Sequence, residues 1–143
     1  MADHGSLDGS MRSILERARR IAVLGASPSP DRDSHRIFVY LKEAGYDVVP
    51  VRPATREVAG VLAVADLAAA MPVDLVNVFR APEHLPEIIE ECIRLRVPAL
   101  WLQLGVVHDA AIARAREAGI EVIADRCIMV EHRRLGIAPR HQG

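Results

Sequence analysis

The loop after the first apolar run of this sequence contains residues suited to binding phosphate. The run IAVLG at 21–25 has the length of a buried strand, and ASPSPDRDSHR leads from it into a helical pattern. In such a β-to-α turn, backbone N–H groups and the start of the helix bind phosphate, and cations near that start favour a bound anion. The alternative is that Gly25 only permits a tight turn and Ser34 only caps the helix. Arg32, Ser34, His35 and Arg36 add hydrogen-bond donors around the start of this helix and are the candidate phosphate ligands there.

The pattern of a nicotinamide dinucleotide site is missing. Residues 27–29 read SPS where two more glycines would be needed after Gly25. The second predicted strand ends in Val51, Arg52 and Pro53, without a carboxylate for the ribose hydroxyls of NAD. Arg52 instead places a cation where an extra ribose phosphate would lie, as in NADP and coenzyme A sites.

Phe79 and Arg80 end the third predicted strand, and Pro82 then prevents further pairing. At this position an adenine ring would pack on Phe79 while Arg80 contacts phosphate. The alternative is a core phenylalanine beside a solvated arginine.

The Cys127 thiol is the clearest candidate nucleophile in the sequence. It follows Asp125 and Arg126 at the predicted start of the last helix, where the helix dipole and a neighbouring cation favour a reactive thiolate. In the presence of an oxidant, such a thiol would form a mixed disulfide with another thiol, whereas the more frequent fate of a free cysteine is burial as a small apolar residue. Cys92 lies on the apolar face of a predicted helix and belongs to the core.

No other catalytic or metal pattern is visible. The six histidines form no HExxH or similar spacing, and Ser27 lacks the GxSxG turn of a hydrolase. We therefore assign no catalytic residue and no metal ligand.

These candidates need a sheet that gathers strand ends at one edge. Five apolar runs at 21–25, 46–51, 74–79, 98–105 and 120–125 read as strands buried on both faces. Segments with helical spacing separate most of them, Gly45 and Gly119 stand at predicted helix ends, and Asp109 stands at an N-cap. The sequence predicts an α/β fold: a doubly wound, Rossmann-like parallel sheet of about five strands in the order 2-1-3-4-5, in three layers, with a ligand crevice at its carboxyl edge.

The domain boundaries follow from composition. We predict a flexible tail over residues 1–13, one domain over 14–136 and a second tail over 137–143. Within the domain, residues 54–72 favour one short Ala-rich helix, with an edge strand at 58–62 as the alternative.

Composition excludes several classes of protein. The 143 residues carry a net charge of -1 and only 3% aromatic residues, which argues against nucleic-acid binding. We see no signal peptide and no apolar run long enough to span a membrane. Two distant cysteines fit a reducing compartment, so we expect a cytoplasmic protein.

Five segments of the chain resemble the small bacterial CoA-binding proteins. They are GASPSPDRDSHR, VRP, VNVFRAPEHLPEII, WLQLG and DRCIMVEH, and the resemblance covers about residues 14–135. The chain is also more distantly similar to the CoA-binding domain of the succinyl-CoA synthetase α subunit.

The resemblance implies that coenzyme A binds at the loops after the first three strands. The positions that it assigns to the nucleotide end are Gly25, Ala26, Ser27, Arg32, Val51, Arg52, Pro53, Phe79 and Arg80. It also implies a wall for the pantetheine arm at Gln103, Leu104 and Gly105. Two departures stand out, since many relatives have Asn in place of Arg52 and Lys in place of Met129. The second departure removes the cation that would support a role for Cys127.

We therefore expect a module that binds coenzyme A or an acyl-CoA without catalysis, as a carrier, a sensor or a redox-protected store. Its partner is a small molecule, and self-association into a homo-oligomer stays open. The alternatives are an NADP-linked reductase, in which Arg52 binds the ribose phosphate, and an acyl-CoA or CoA-disulfide enzyme that uses Cys127.

Overall fold

The computed structural model describes residues 6–139, in which a helix separates each strand from the next except along the second, third and fourth strands. The helices are α1 (Leu7–Arg17), α2 (Asp33–Glu43), α3 (Leu67–Ala70), α4 (Leu85–Arg94), α5 (Asp109–Glu117) and α6 (Ile128–Arg134). The strands are β1 (Arg20–Leu24), β2 (Asp47–Val51), β3 (Glu57–Val58), β4 (Val61–Leu62), β5 (Leu75–Val78), β6 (Ala99–Leu102) and β7 (Glu121–Ile123). A 3-10 turn over Pro82–His84 precedes α4.

Five strands form one parallel sheet in the order β2-β1-β5-β6-β7. Counted along the sheet strands alone, this is the predicted 2-1-3-4-5 order, so the doubly wound fold is confirmed. The order reverses direction at β1, which lies between β2 and β5. The carboxyl ends of these three strands therefore meet at one edge, where a doubly wound sheet forms its ligand crevice.

Helices cover both faces of the sheet. On one face, α3, α4 and α5 pack against a buried cluster that includes Leu85, Ile89 and Leu100. On the other face, α1, α2 and α6 enclose a second cluster around Phe38 and Trp101. The apolar runs without polar alternation are explained by this burial on both sides.

Residues 54–72 contain both of the elements that the sequence left open. Strands β3 and β4 form an antiparallel hairpin, and α3 follows it as a helix of four residues. The hairpin does not join the main sheet as a strand, but Val64 forms a parallel bridge to Val51 and so covers the outer edge of β2. The turn needs left-handed backbone at Ala59 and Gly60, with φ of 50° and 82°.

Helix ends follow the sequence signals with one exception. Gly45 and Gly119 have φ of 97° and 91° just after α2 and α5, as predicted for C-terminal caps. The predicted N-cap at Asp109 is wrong, because the cap is His108, whose Nδ1 accepts a hydrogen bond from the N–H of Ala111 at 3.2 Å. Asp109 is the first residue of the helix itself.

The prediction of a tail over residues 1–13 is wrong for residues 7–13, which belong to α1. Met11, Ile14 and Leu15 lie on one face of this helix and are buried against the sheet. The helical spacing of these apolar residues was missed because the segment around them is rich in Gly and Ser. At the other end, Ile137 is buried although it was predicted to belong to a tail. Residues 1–5 and 140–143 lie outside the described part of the chain.

Helix α6 carries a buried histidine, His132, that is only 3% exposed. Its Nδ1 lies 2.7 Å from the hydroxyl of Tyr40, and the rings of Tyr40 and Tyr46 meet it edge-on. Its Nε2 is buried without a hydrogen-bond partner among the described residues. Burial lowers the pKa of His132 below its usual value.

We predict that the protein loses stability as the pH falls below about 6.5, the ordinary pKa of histidine. In that range the unfolded chain binds a proton at His132 that the folded chain resists, so acid favours unfolding. The slope from one such group is at most about 1.4 kcal/mol per pH unit. Urea unfolding between pH 7.5 and 5 measures the slope, and His132→Gln should reduce it. An unchanged slope in this variant would contradict the prediction.

Candidate functional site

A cavity of about 890 Å³ opens at the carboxyl ends of β1, β2 and β5. It lies at the topological switch point, where the sequence predicted a crevice. Its volume is within the usual range for small-molecule sites. We call it the cleft, and it is lined by Gly25, Ser27, Asp31, Arg32, Asp33, Ser34, Val51, Arg52, Pro53, Phe79, Arg80, Ala81 and His84.

Gly25 brings the loop after β1 into close contact with the end of β5. Its φ is 86°, which side chains larger than hydrogen rarely adopt, and its N–H donates to the carbonyl of Val51 at 3.0 Å. A Cβ at this position would lie 3.1 Å from the carbonyl oxygen of Phe79 and 3.2 Å from Cδ of Arg80. Glycine is therefore required both by the turn and by the close approach of the two loops.

The rest of this loop is held by hydrogen bonds within itself. Ser34 Oγ accepts from the N–H of Ser27 at 3.0 Å, and Ser27 Oγ accepts from the N–H of Ser29 at 3.1 Å. His35 Nδ1 lies 2.8 Å from the carbonyl oxygen of Ser27. Ser34 lines the cleft but does not cap α2, and His35 braces the loop from outside the cleft. Ala26 is fully buried beneath the loop.

Helix α2 begins at the cleft with its first turn uncapped. Its N-cap is Arg32, which makes no side-chain capping bond. Asp33 and Ser34, the first two residues of the helix, line the cleft. Because the first N–H groups of a helix have no partner within it, they are available to an anion there.

Three arginines line the cleft without a carboxylate partner among residues 6–139: Arg32, Arg52 and Arg80. Arginines that do pair with carboxylates are Arg12, Arg17, Arg20, Arg36, Arg94, Arg114 and Arg134. Two carboxylates, Asp31 and Asp33, also line the cleft, but Asp33 is already bound to Arg36 at 2.6 Å. The unpaired cations outnumber the free carboxylate and favour an anionic ligand.

A smaller recess of about 290 Å³ adjoins the cleft and shares Val51, Pro53 and Arg80 with it. It lies on the side of the sheet that α3 and α4 cover. Apolar residues form much of its wall, and three carboxylates and Arg80 form the rest. Its other lining residues are Leu24, Ala65, Asp66, Leu67, Glu87, Ile88 and Glu91.

The WLQLG segment lies outside the cleft. Gln103 is buried, and its Oε1 accepts hydrogen bonds from Asn77 Nδ2 at 3.1 Å and from the N–H of Ile128 at 3.0 Å. Leu104 is 66% exposed, and the N–H of Gly105 donates to Asp125 Oδ1 at 2.8 Å. Gln103 therefore fastens α6 to the sheet, while Leu104 presents an apolar side chain to solvent at the same carboxyl edge.

The two thiols are both buried. Cys127 is the N-cap of α6 and is 8% exposed, and it packs in the same cluster as Trp101. It does not line the cleft. Burial raises the pKa of the Cys92 thiol to about 12, so this cysteine is an inert core residue.

Four lining residues were not assigned from the sequence: Asp31, Asp33, Ala81 and His84. The two aspartates lie inside the predicted phosphate loop. They were not assigned because a carboxylate is not expected to contact an anionic ligand. Ala81 and His84 follow Arg80 into the 3-10 turn, and His84 Nδ1 lies 3.5 Å from Glu87. Their position in the sequence just after Arg80 was the one signal that could have assigned them to the cleft.

Residues 6–139 contain no cluster of three or more His, Cys, Asp or Glu side chains placed to hold a metal ion. Within the same residues, every helix is too short or too polar to cross a membrane.

Known proteins are similar to this chain in both sequence and fold. A family model described as CoA binding domain matches residues 19–133. A Bacillus subtilis (strain 168) protein, YneT, is 43% identical over 123 residues, which span 85% of this chain and 91% of that protein. A solved Thermus thermophilus structure, cell-free ID.343, has a TM-score of 0.85 at 44% identity and covers 91% of this chain and 99% of its own.

A hypothetical protein from Pyrococcus horikoshii OT3 has a TM-score of 0.87 at 36% identity, over 94% of this chain and 96% of its own. The family match extends from the start of β1 to the last turn of α6 and so contains the whole cleft. On these grounds the chain belongs to the CoA binding domain family.

Proposed function

We propose that the cleft binds the nucleotide end of coenzyme A or of an acyl-CoA. The observation that carries the proposal is the group of unpaired arginines, Arg32, Arg52 and Arg80, beside the uncapped start of α2. Guanidinium groups and backbone N–H groups are the donors that proteins use for phosphate. Coenzyme A supplies a pyrophosphate and a ribose phosphate, and the family match supports this ligand.

The parts of the ligand follow the shape of the site. The pyrophosphate lies at the start of α2, where Arg32 lines the cleft and no side chain caps the helix. The adenine ring packs against apolar surface, which Phe79 and the adjoining recess both offer. The pantetheine arm leaves along the carboxyl edge toward Leu104, whose exposed side chain is an apolar surface for it.

We propose that the protein binds this cofactor without transforming it. Among the lining residues of the cleft, the one histidine, His84, lies near Glu87 rather than beside a nucleophile. The Cys127 thiol is packed in the core, away from the lining. A carrier, a sensor or a protected store of coenzyme A in the cytoplasm fits this arrangement, since two unpaired cysteines suit a reducing compartment.

The protein is expected to bind coenzyme A with micromolar or tighter affinity in isothermal titration calorimetry. Arg80→Gln should weaken binding by about 10- to 100-fold, because it removes a charge-assisted hydrogen bond to phosphate. It should also make binding less sensitive to salt. A matched control is Arg19→Gln, an exposed arginine at the opposite edge of the sheet, which should bind as the wild type does.

The absence of any heat at millimolar coenzyme A would refute the proposal. Tighter binding of NADPH than of coenzyme A in the same titrations would favour the reductase alternative instead. Native mass spectrometry adds an independent readout, because a co-purified ligand is identified by its mass.

A further inference from the structure

His84 is held in the wall of the cleft by a tight turn. The 3-10 turn Pro82–His84 lies between the end of β5 and α4, and the N–H of His84 donates to the carbonyl of Ala81 at 3.0 Å. The next residue, Leu85, is fully buried in the core on that face of the sheet, which anchors the turn. The half-buried His84 therefore has a fixed place in the wall, which it shares with Arg80.

His84 makes the charge of the cleft depend on pH. Among the lining residues that the structure describes, it is the only histidine, and the other ionisable ones are arginines and aspartates. Arginine and aspartate side chains ordinarily keep their charge between pH 6 and 8, whereas histidine is the side chain that gains or loses a proton in this range. The charge that the cleft presents to a ligand near neutral pH is therefore set by the protonation of His84.

Charged groups from four elements surround the imidazole. In α4, Glu87 Oε1 lies 3.5 Å from His84 Nδ1. The others lie before α2, after β2 and at the end of β5, and they are Asp31, Arg32, Asp33, Arg52 and Arg80. Asp33 is paired with Arg36 at 2.6 Å. A sphere with the volume of the cleft is only about 12 Å across, so these charges act on one another with little screening by salt.

A bound phosphate changes the electrostatic potential at His84. Before binding, the three arginines of the cleft repel a further positive charge, and the phosphate then neutralises them. A proton on His84 therefore becomes more favourable when the ligand is bound. Because linkage is reciprocal, the protonated protein must also bind the ligand more tightly than the neutral one does.

We propose that the binding of coenzyme A is linked to protonation of His84, so that the cleft binds its cofactor more tightly as the pH falls from 8 to 6. This inference rests on the proposed function and adds a regulation by pH to that site. A tenfold rise in the proton affinity of a histidine corresponds to an uptake of up to about half a proton. Over these two pH units, the affinity for the ligand then rises by about 3- to 10-fold.

The test uses dephospho-coenzyme A, whose pyrophosphate keeps its charge between pH 6 and 8. The ribose phosphate of coenzyme A is a monoester that titrates in this range itself and would obscure the result. Calorimetry at pH 7 in PIPES and in imidazole, two buffers with different ionisation enthalpies, measures the protons taken up. The wild type should take up about 0.2–0.5 proton for each ligand bound. Its affinity should rise by about 3- to 10-fold between pH 8 and pH 6.

Two variants of His84 separate its charge from its shape. His84→Gln should take up no proton, and its affinity should be the same at pH 6 and pH 8. His84→Lys carries a fixed positive charge, so it should bind at pH 8 about as tightly as the wild type does at pH 6, without proton uptake. His108→Asn is the matched control, because His108 lies outside the cleft and asparagine preserves the N-cap of α5. It should behave as the wild type does.

The outcomes distinguish this inference from the proposed function. Wild-type binding without proton uptake would overturn the role of His84 while leaving the proposed function standing. Uptake that persists in His84→Gln would have the same meaning. Failure of the wild type to bind coenzyme A and dephospho-coenzyme A at any pH from 6 to 8 would overturn both. Matching thermal unfolding of the wild type and the variants at pH 8 shows that the variants are folded.

Discussion

Gly25→Ala is expected to weaken coenzyme A binding by at least about 100-fold and to lower the free energy of unfolding by about 1–3 kcal/mol. The backbone at this residue has φ of 86°, where an alanine is strained. In addition, the new Cβ would lie 3.1 Å from the carbonyl oxygen of Phe79. The loop must shift to relieve this contact, and the shift moves the phosphate loop relative to Arg80. Calorimetry with coenzyme A and urea unfolding measure the two effects.

Gly60→Ala separates the strain of the backbone from the contact. Gly60 has nearly the same φ, 82°, but a Cβ there would meet no atom within 4 Å. This variant should therefore lose stability by a similar strain energy while it binds coenzyme A with unchanged affinity. If Gly25→Ala also keeps the wild-type affinity, the loop after β1 is not the phosphate site.

Gln103→Leu is expected to lower the free energy of unfolding by about 2–5 kcal/mol, because two buried N–H groups each lose the acceptor that Gln103 provides. These donors are Asn77 Nδ2 on β5 and the N–H of Ile128 in α6, both within 3.1 Å of Gln103 Oε1. Urea unfolding followed by the fluorescence of Trp101 measures the loss. Trp101 is the only tryptophan of the chain and is fully buried next to this network, since Asn77 Nδ2 also donates to its carbonyl.

Leu104→Ala is the matched control for Gln103, one residue further along. Leu104 is 66% exposed, so its truncation should change stability by less than about 0.5 kcal/mol. If this leucine contacts the pantetheine arm, the variant should bind coenzyme A several-fold more weakly than the wild type does. Its affinity for adenosine nucleotides that lack the arm should stay unchanged. A Gln103→Leu protein of wild-type stability would show that its network contributes nothing to the fold.

The order of the sheet was predictable because it depends on local patterns. Strand-length apolar runs separated by helical spacing force parallel pairing, and right-handed crossovers then leave few topologies. The end of the first strand was equally visible, since Gly25 and the residues after it form the turn at which such folds bind ligands. The same logic placed Arg52 and Arg80 at the ends of the two strands that flank the first strand, and both line the cleft.

Side-chain direction was not predictable in the same way. Ser34 and His35 were counted among the ligands, yet their polar atoms hold Ser27. Gln103 was placed along the pantetheine arm, yet its amide joins β5 to α6. Each of these hydrogen-bond partners depends on where other segments of the chain lie in the folded protein. The spacing of residues in the sequence does not reveal those positions.

Helix α1 shows the same limit at the level of a whole element. Met11 and Ile14 have helical spacing, but isolated short helices are marginal, and the surrounding Gly and Ser residues argued for a tail. The helix is stabilised by packing against the sheet cluster and by contact with α6. The sequence alone was thus enough for the sheet, its switch point and the glycine and arginines at that edge, because short-range periodicity and turn chemistry encode them. Only the tertiary structure decided which polar groups face the cleft and which form hydrogen bonds within the protein around it. Hydrogen bonds between residues far apart in the chain depend on how the layers pack.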